Sequence, residues 1–227
     1  MRIRNLIKGD ITFQLKYGFY FVYIVFTILY VCLLYAFPTA WRSKAGIIMI
    51  YSDPAAMGLF FMGAIVLLEK SQRVLNSIAV SPVKVSEYII SKVTSIGIIG
   101  TIVGVIISIP SGTKNLITVI LGTFLGSVMF SLLGLIVAAK VTSLNQFLIA
   151  TVPFEIVCFI PALFYIFGYH KTIMLFHPGC IIVRLLSGNM EYLFVLLLIL
   201  FLWIGLIYII TYSIIKKMFL CVGGVKL

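Results

Sequence analysis

Long runs of apolar residues without a charge dominate the chain and predict membrane-spanning helices. A spanning helix needs about 20 mostly apolar residues. Four charge-free runs reach that length: Tyr17–Trp41, Val93–Thr113, Asn115–Ala139 and Tyr192–Ile215. Two further runs are interrupted, Ala45–Leu68 by Asp53 and Pro54, and Val141–Tyr169 by Pro153, Glu155 and Pro161. Each is long enough to cross only as a whole, so the pattern predicts an all-α membrane protein with six spans.

The boundaries of the predicted elements follow from these runs and the polar residues between them. A single membrane domain over 1–227 is predicted, with an N-terminal helix at 1–16, a linker helix at 70–82 and spans at about 17–38, 54–69, 88–109, 115–139, 147–168 and 191–215. Asp53 before Pro54 matches a helix N-cap followed by proline in the first turn. This favours a break in the second apolar run, with the span starting at Pro54. A single kinked helix is the alternative.

Two shorter segments are predicted to be helices that do not cross the membrane. In residues 1–16, isoleucine or leucine recurs every four residues and basic residues take the other side, which is typical of a helix lying in the membrane interface. Before the last span, His177-Pro178-Gly179 opens the apolar piece Cys180–Leu186, which is too short to cross. We predict a short helix at the outer interface, and solvated loop histidines at positions 170 and 177 with no metal site.

Composition excludes a soluble fold. Hydrophobic residues make up 63% of the chain and charged residues 10%, against roughly 25% charged in an ordinary globular domain. A soluble protein of this size cannot cover so much apolar surface. The net charge of +11 could suggest nucleic acid, but the basic residues cluster between apolar runs, as in proteins that set their membrane orientation with lysine and arginine. The expected surroundings are therefore lipid, and no nucleic-acid partner is expected.

The basic residues also predict the orientation. With the N-terminus in the cytoplasm, twelve of the seventeen basic residues lie inside: Arg2, Arg4, Lys8, Lys16, Lys70, Arg73, Lys84, Lys92, Lys140, Lys216, Lys217 and Lys226. Five lie outside: Arg42, Lys44, Lys114, Lys171 and Arg184. Because cytoplasmic loops are enriched in lysine and arginine, this bias predicts that both termini are cytoplasmic.

Glycine pairs in two spans indicate close helix packing. Gly100 and Gly104 lie one turn apart in the third span, and Gly122 and Gly126 one turn apart in the fourth. Small residues at this spacing let neighbouring helices approach closely in a membrane. We expect packing within the chain rather than dimerisation through these pairs.

The chain carries no recognisable catalytic signature. The motifs of zinc proteases, serine hydrolases and phosphate-binding loops are missing from the sequence, so no enzymatic activity, cofactor or metal is expected in this chain. Glu155 is the one carboxylate placed well inside a predicted span, near Pro153, which frees a backbone carbonyl. Both residues are candidates for a translocation path, where Glu155 would pair with a cationic substrate. The alternative is a structural carboxyl hydrogen-bonded to Thr151 or a neighbouring hydroxyl.

The link between the second and third spans has an amphipathic pattern. Val74, Leu75 and Ile78 fall on one side of a two-turn helix. Ser81-Pro82 then ends that helix or caps the next one. An apolar stripe exposed to cytoplasm requires a cover, and the pattern alone leaves the membrane surface and another protein as equal alternatives.

Residues in and around this link resemble the signature of type-2 ABC exporter permeases. The matching positions are Glu69-Lys70, Val74-Leu75, Val80-Ser81-Pro82, Glu87-Tyr88 and Lys92. Asp10, Tyr17-Gly18-Phe19-Tyr20 and Asp53-Pro54 are similar to the branch of fluoroquinolone-type drug export permeases. The resemblance extends over the whole chain.

The resemblance implies a permease subunit in the inner membrane of a bacterium, which pairs with a copy of itself or a sister subunit and exports a hydrophobic or drug-like substrate. ATP and Mg²⁺ would be bound by a separate ABC ATPase subunit. The coupling residues in contact with that ATPase would be Arg73, Val74, Leu75, Ile78, Ser81 and Pro82. The path would lie between the two permease halves, lined mainly by the second and fifth spans. The alternative function is a six-span vitamin-capturing component of an uptake transporter; an ion channel would require repeated polar pore positions.

Overall fold

The computed structural model describes residues 2–113 and 115–222, and every regular element in these ranges is helical. The N-terminal helix spans Arg2–Lys16, the linker helix Val74–Val80 and a short helix Pro178–Leu186, which follows a 3-10 turn at Thr172–Phe176. The six spans are Phe19–Ala36, Thr39–Ser71, Val85–Ser111, Leu116–Lys140, Leu144–Ile166 and Leu193–Val222. The prediction of an all-α protein with six apolar, membrane-length helices is confirmed. Lys114 and Lys226, used in the charge count, lie outside the described residues.

The fourth span forms the centre of the bundle. Every residue from 129 to 138 is buried, and this helix contacts the second, third, fifth and sixth spans and the short helix. The first, fifth and sixth spans instead expose most of their apolar surface. A helix that is apolar all round and exposed in a single chain is suited to contact with lipid or with another membrane subunit.

The glycine pairs of the third and fourth spans pack within the chain, as predicted. A Cβ added at Gly100 would lie 2.5 Å from the backbone oxygen of Pro54, and one at Gly122 would lie 3.0 Å from Leu185. Gly104 faces Thr123, and Gly126 faces Ile182 of the short helix. Any larger side chain at Gly100 would therefore push the second span away from the third.

The second span is continuous, so the predicted break at Asp53-Pro54 is wrong. The helix runs from Thr39 to Ser71 with one π-helical turn at Tyr51–Ala55. Proline lacks an N–H and clashes with the carbonyl four residues before it, and a π-turn accommodates that defect without ending the helix. Asp53 does not cap a helix with its side chain; it is buried in the bundle.

The N-terminal helix presents a polar face to the bundle. Gln14 is its buried residue, whereas Leu15 stays 55% exposed. Ile3 is exposed as well, whereas Leu6, Ile7 and Ile11 are half-buried, so only part of the predicted apolar face is open.

The short helix is covered by the chain itself. Its residues Cys180–Val183, Leu185 and Leu186 are all buried, mainly against the fourth span. His177, just before it, is half-buried with an unpartnered Nδ1 among the described residues, and burial lowers the pKa of this histidine. The prediction of a solvated His177 is therefore wrong, whereas His170 is exposed.

Candidate functional site: a buried charge network beside the linker helix

A buried lysine of the third span joins two carboxylates from other helices. Lys92 Nζ lies 2.6 Å from Oε1 of Glu69, at the end of the second span, and 2.9 Å from Oδ1 of Asp10 in the N-terminal helix. The Lys92 side chain is 3% exposed, that of Glu69 5% and that of Asp10 15%. Charged groups inside a membrane protein are stable only when they are paired, and here one cation holds three segments of the chain together.

Neighbouring hydroxyl groups satisfy the second oxygen of each carboxylate. The Tyr88 hydroxyl donates to Glu69 Oε2 at 2.8 Å, and the Ser91 hydroxyl donates to Asp10 Oδ2 at 2.7 Å. The Tyr88 ring also lies 4.9 Å from Lys92 Nζ, within the range of a cation–π interaction. We call these five residues the charge network. With Lys92, Glu69 and Asp10 charged, the network carries one positive and two negative charges, so Lys92 is its single cation.

Two further contacts fasten the N-terminal helix to the third span. Gln14 donates to the Ser95 hydroxyl at 2.7 Å in a buried position. At the other end of the helix, Arg2 donates to the Pro82 carbonyl at 2.9 Å and lies 3.7 Å from Glu87. The N-terminal helix is therefore held along its length, and its Arg2 contact reaches the segment that follows the linker helix.

Lys70 has a separate role from its neighbour Glu69. Its Nζ donates to the carbonyls of Ala138, Ala139 and Val141 at 2.6, 3.0 and 2.8 Å. The last carbonyls of a helix have no intrahelical donor, and a cation at this end also favours the helix dipole. Adjacent residues of the second span therefore connect it to the third span through Glu69 and to the fourth through Lys70.

Replacing Lys70 by methionine is expected to lower the free energy of unfolding by about 1–2 kcal/mol, because hydrogen bonds from a charged donor to the helix end are lost. Thermal unfolding of the purified protein in detergent measures this. Lys140→Met is the matched control, since Lys140 is exposed at the end of the same fourth span. Equal melting temperatures for the two variants would contradict a capping role for Lys70.

Part of the apolar stripe of the linker helix, which was predicted to contact the ATPase, packs against the bundle instead. Leu75 is 1% exposed and lines a cavity together with Ile214 and Met218 of the sixth span. Leu75 is thus covered within the chain, and its contact with the ATPase stays a prediction that requires this side chain to be uncovered. Val74 and Ile78 are half-buried beside it.

The opposite side of the linker helix is open. Val80 is 83% exposed, and Asn76 and Ser77 are exposed with it. Arg73 is also exposed and starts the helix from a left-handed conformation with φ 58°. Ser81 ends the helix with its hydroxyl bonded to the Ile78 carbonyl, and Pro82 is exposed. Sequence periodicity did not mark Val80 as part of an outward surface, although it is the most exposed apolar side chain of this segment.

Glu155 and Pro153 lie away from the charge network, on the fifth span. Glu155 is half-buried and has no hydrogen bond or salt bridge to the described residues. The alternative partner Thr151 donates instead to the Leu148 carbonyl of its own helix at 2.8 Å, so that pairing is wrong. Pro153 is exposed. The Glu155 carboxylate therefore has no partner among the described residues.

The sequence of the chain matches known export permeases. The model of the fluoroquinolones export permease protein family matches residues 1–223. The chain belongs to this family. It is 26% identical over 167 residues to fluoroquinolones export permease proteins of two Mycobacterium tuberculosis strains, CDC 1551 / Oshkosh and H37Rv, and the match covers 72% of this chain and 70% of each relative. This permease is accordingly an integral membrane transport protein.

Four of the residues that carried the family resemblance converge in the structure. Asp10, Glu69, Tyr88 and Lys92 were singled out by resemblance alone, from three separate parts of the sequence, and they form one network. Sequence reasoning missed Gln14, Ser91 and Ser95. The sequence did contain a signal for them. Asp10 and Gln14 lie one turn apart on the N-terminal helix, and Lys92 and Ser95 lie one turn apart on the third span, so the two helices carry polar positions that can pair.

Proposed function

We propose that this permease is the membrane-spanning subunit of an ATP-driven exporter that moves hydrophobic, drug-like molecules, fluoroquinolones among them, out of a bacterial cell. A separate ABC ATPase subunit binds ATP and Mg²⁺ and supplies the energy. A second permease subunit, either a copy or a sister chain, completes the path. Both termini and the linker helix lie on the cytoplasmic side of the inner membrane, and the short helix lies outside.

The observation that carries this proposal is the position of the linker helix beside the charge network. Movement applied to the linker passes at once to the second span, which continues into it, and to the third span, which follows it. Glu69 and Lys92 tie those two spans together, and Lys70 adds the fourth. An ATPase that pulls on the linker would therefore move several spans as a unit.

The surface offered to the ATPase is the open side of the linker helix. Arg73, Asn76, Ser77 and Val80 are exposed there, and Pro82 continues the surface. Val74, Ile78 and Ser81 contribute their exposed parts. A Val80 side chain that is 83% exposed in a cytoplasmic segment gains about 1.5 kcal/mol or more when a partner covers it.

Drug accumulation in a sensitive bacterial host tests this function. Cells that produce the permease with its ATPase subunit should accumulate less fluoroquinolone than cells that produce either subunit alone. An ATPase lacking its phosphate-binding lysine should restore full accumulation. Equal drug efflux by the permease alone, or with the inactive ATPase, would contradict an ATP-driven mechanism.

The proposed orientation predicts which positions a membrane-impermeant thiol reagent reaches in intact cells. With the native cysteines replaced, a cysteine at Asn189 should be labelled from outside, because Asn189 is exposed beside the short helix. A cysteine at Ser77 on the linker helix should react only after the cells are permeabilised. Labelling of position 77 in intact cells would reverse the orientation.

Glu155 and Pro153 are proposed to belong to the translocation path. The carboxylate has no partner in the described chain and stands on the fifth span, most of whose apolar surface is exposed. Glu155→Gln is expected to reduce transport of cationic substrates roughly tenfold, the effect of losing one charge-assisted hydrogen bond. Transport of neutral substrates should stay unchanged. Equal effects on both classes would leave Glu155 outside the path.

A further inference from the structure

Two adjoining cavities lie at the end of the bundle opposite the charge network, beside the short helix. Their volumes are ≈ 440 and ≈ 400 Å³, and their walls share Tyr165, His170, Arg184 and Glu191. Pockets that hold drug-sized molecules have volumes of about 300–1,000 Å³. Each cavity is large enough for a small aromatic molecule, and the two meet at the Arg184–Glu191 pair.

Arg184 lines both cavities, and its guanidinium has few partners within the described chain. Its Nη2 lies 3.2 Å from Glu191 Oε2 and its Nη1 donates to the Tyr165 hydroxyl at 3.4 Å. Its Nε is buried and has no partner among the described residues. A guanidinium presents its N–H groups as a planar fork that matches a carboxylate, and a buried donor without a partner calls for an acceptor.

The existing partner of Arg184 is weakly held. The Glu191 side chain is 73% exposed, whereas that of Arg184 is 12% exposed. Exposed ion pairs contribute little stability, so a carboxylate arriving from within the cavity can displace Glu191 at small cost. The buried arginine then stays in place while its carboxylate partner is exchanged.

Aromatic rings line the cavities around this arginine. Tyr192 lies 6.0 Å from the Arg184 guanidinium carbon, and the Tyr165 and His170 rings pack edge to face at 4.6 Å. Phe176 adds a further ring to the larger cavity. Rings in these positions favour a flat aromatic body over a flexible aliphatic chain.

We propose that this pair of cavities, which we call the Arg184 site, binds planar aromatic carboxylates, with the ligand carboxylate taking the place of Glu191 on Arg184. The aromatic part of the ligand lies against Tyr165, Phe176 and Tyr192. The site lies at the end of the bundle away from the linker helix. A role for it in export rests on the proposed function. Binding itself requires no ATPase.

Equilibrium binding to the purified full-length permease tests the Arg184 site. The probe is a quinolone carboxylic acid without a basic amine, and its methyl ester is the uncharged reference. Trp203 donates from its indole to the Phe176 carbonyl at 2.9 Å, so its fluorescence reports occupancy. Arg184→Gln should weaken binding of the acid by about tenfold, as expected for a lost charge-assisted hydrogen bond. Glu191→Gln should strengthen it by roughly threefold, because a competing carboxylate is removed.

The opposite signs separate a binding role from a structural one. Both substitutions break the same ion pair, so a purely structural pair predicts changes in the same direction. Binding of the methyl ester should respond to neither variant, and Lys44→Gln, which removes an exposed charge outside both cavities, should leave binding of the acid unchanged. Glu191→Gln alters only an exposed side chain and keeps the test valid if Arg184→Gln misfolds.

Three results would overturn the proposal: changes of the same sign in the two variants, equal effects on acid and ester, or no response to Glu191→Gln. The assay is run in nanodiscs of a zwitterionic lipid, with and without phosphatidylglycerol. If Arg184→Gln weakens binding of phosphatidylglycerol but not of the quinolone acid, the site holds a lipid phosphate and the proposal is wrong. Failure of drug efflux with intact acid binding would contradict the transport function instead.

Discussion

Lys92→Met is expected to destabilise the permease by about 3–5 kcal/mol, the effect of removing one partner from a buried ion pair. The substitution leaves Glu69 and Asp10 buried side by side without a cation. Removing one carboxylate should be milder, because Lys92 keeps the other as a partner in Glu69→Gln or Asp10→Asn. Thermal unfolding in detergent, followed by loss of the monodisperse species on heating, measures the difference.

Neutralising both carboxylates together with Lys92 shows whether the unpaired charges cause the loss of stability. The triple variant Asp10→Asn, Glu69→Gln, Lys92→Met has no buried charge in the network and should recover much of the lost stability. Lys8→Met is the matched control, since Lys8 is exposed in the N-terminal helix. A Lys92→Met variant as stable as Lys8→Met would show that the network contributes nothing to the fold.

Leu75 and Val80 of the linker helix should respond differently to replacement by aspartate. Leu75→Asp places a carboxylate in a site that is 1% exposed and is expected to destabilise the protein by more than 3 kcal/mol, since the buried leucine is lost and a charge is buried. Val80→Asp alters a side chain that is 83% exposed and should leave the melting temperature unchanged. It should abolish co-purification of the ATPase and efflux of the drug.

Melting temperature, ATPase co-purification and drug accumulation are measured together for these two variants. Ser77→Asp serves as a polar control on the same open side, where no apolar contact is lost. Normal ATPase binding by Val80→Asp, together with loss of binding by a fully stable Leu75→Asp, would contradict docking on the open side. It would identify Leu75 as the coupling residue.

Apolar run length was sufficient to place the six spans, because a membrane imposes one length on every crossing helix. It was insufficient at Asp53-Pro54. A local cap pattern favours a break there, but a π-turn lets the helix continue, and the buried setting of Asp53 is created by neighbouring helices that are distant in sequence. Local propensity cannot report such packing.

The charge network was also only partly predictable from the sequence. Glu69, Tyr88 and Lys92 were noticed through a family resemblance, and pairing is required of any lysine enclosed among apolar helices. Lys92 was nevertheless counted among the cytoplasmic charges, although the predicted third span at 88–109 contained it, because sequence alone does not show which carboxylates it pairs with. Which face of the linker helix is covered depends on the sixth span, whose Ile214 and Met218 lie about 140 residues after Leu75 in the chain.

Photo-crosslinking from the linker helix tests the central claim most directly. A benzophenone amino acid at Val80 should crosslink the ATPase subunit in the assembled transporter, and one at Asn76 should do so more weakly. The same group at Ile209 in the sixth span, which is 70% exposed, should give no ATPase product. Efficient crosslinking from position 80 is the predicted result; an ATPase that crosslinks from no position on the linker helix would contradict the coupling mechanism.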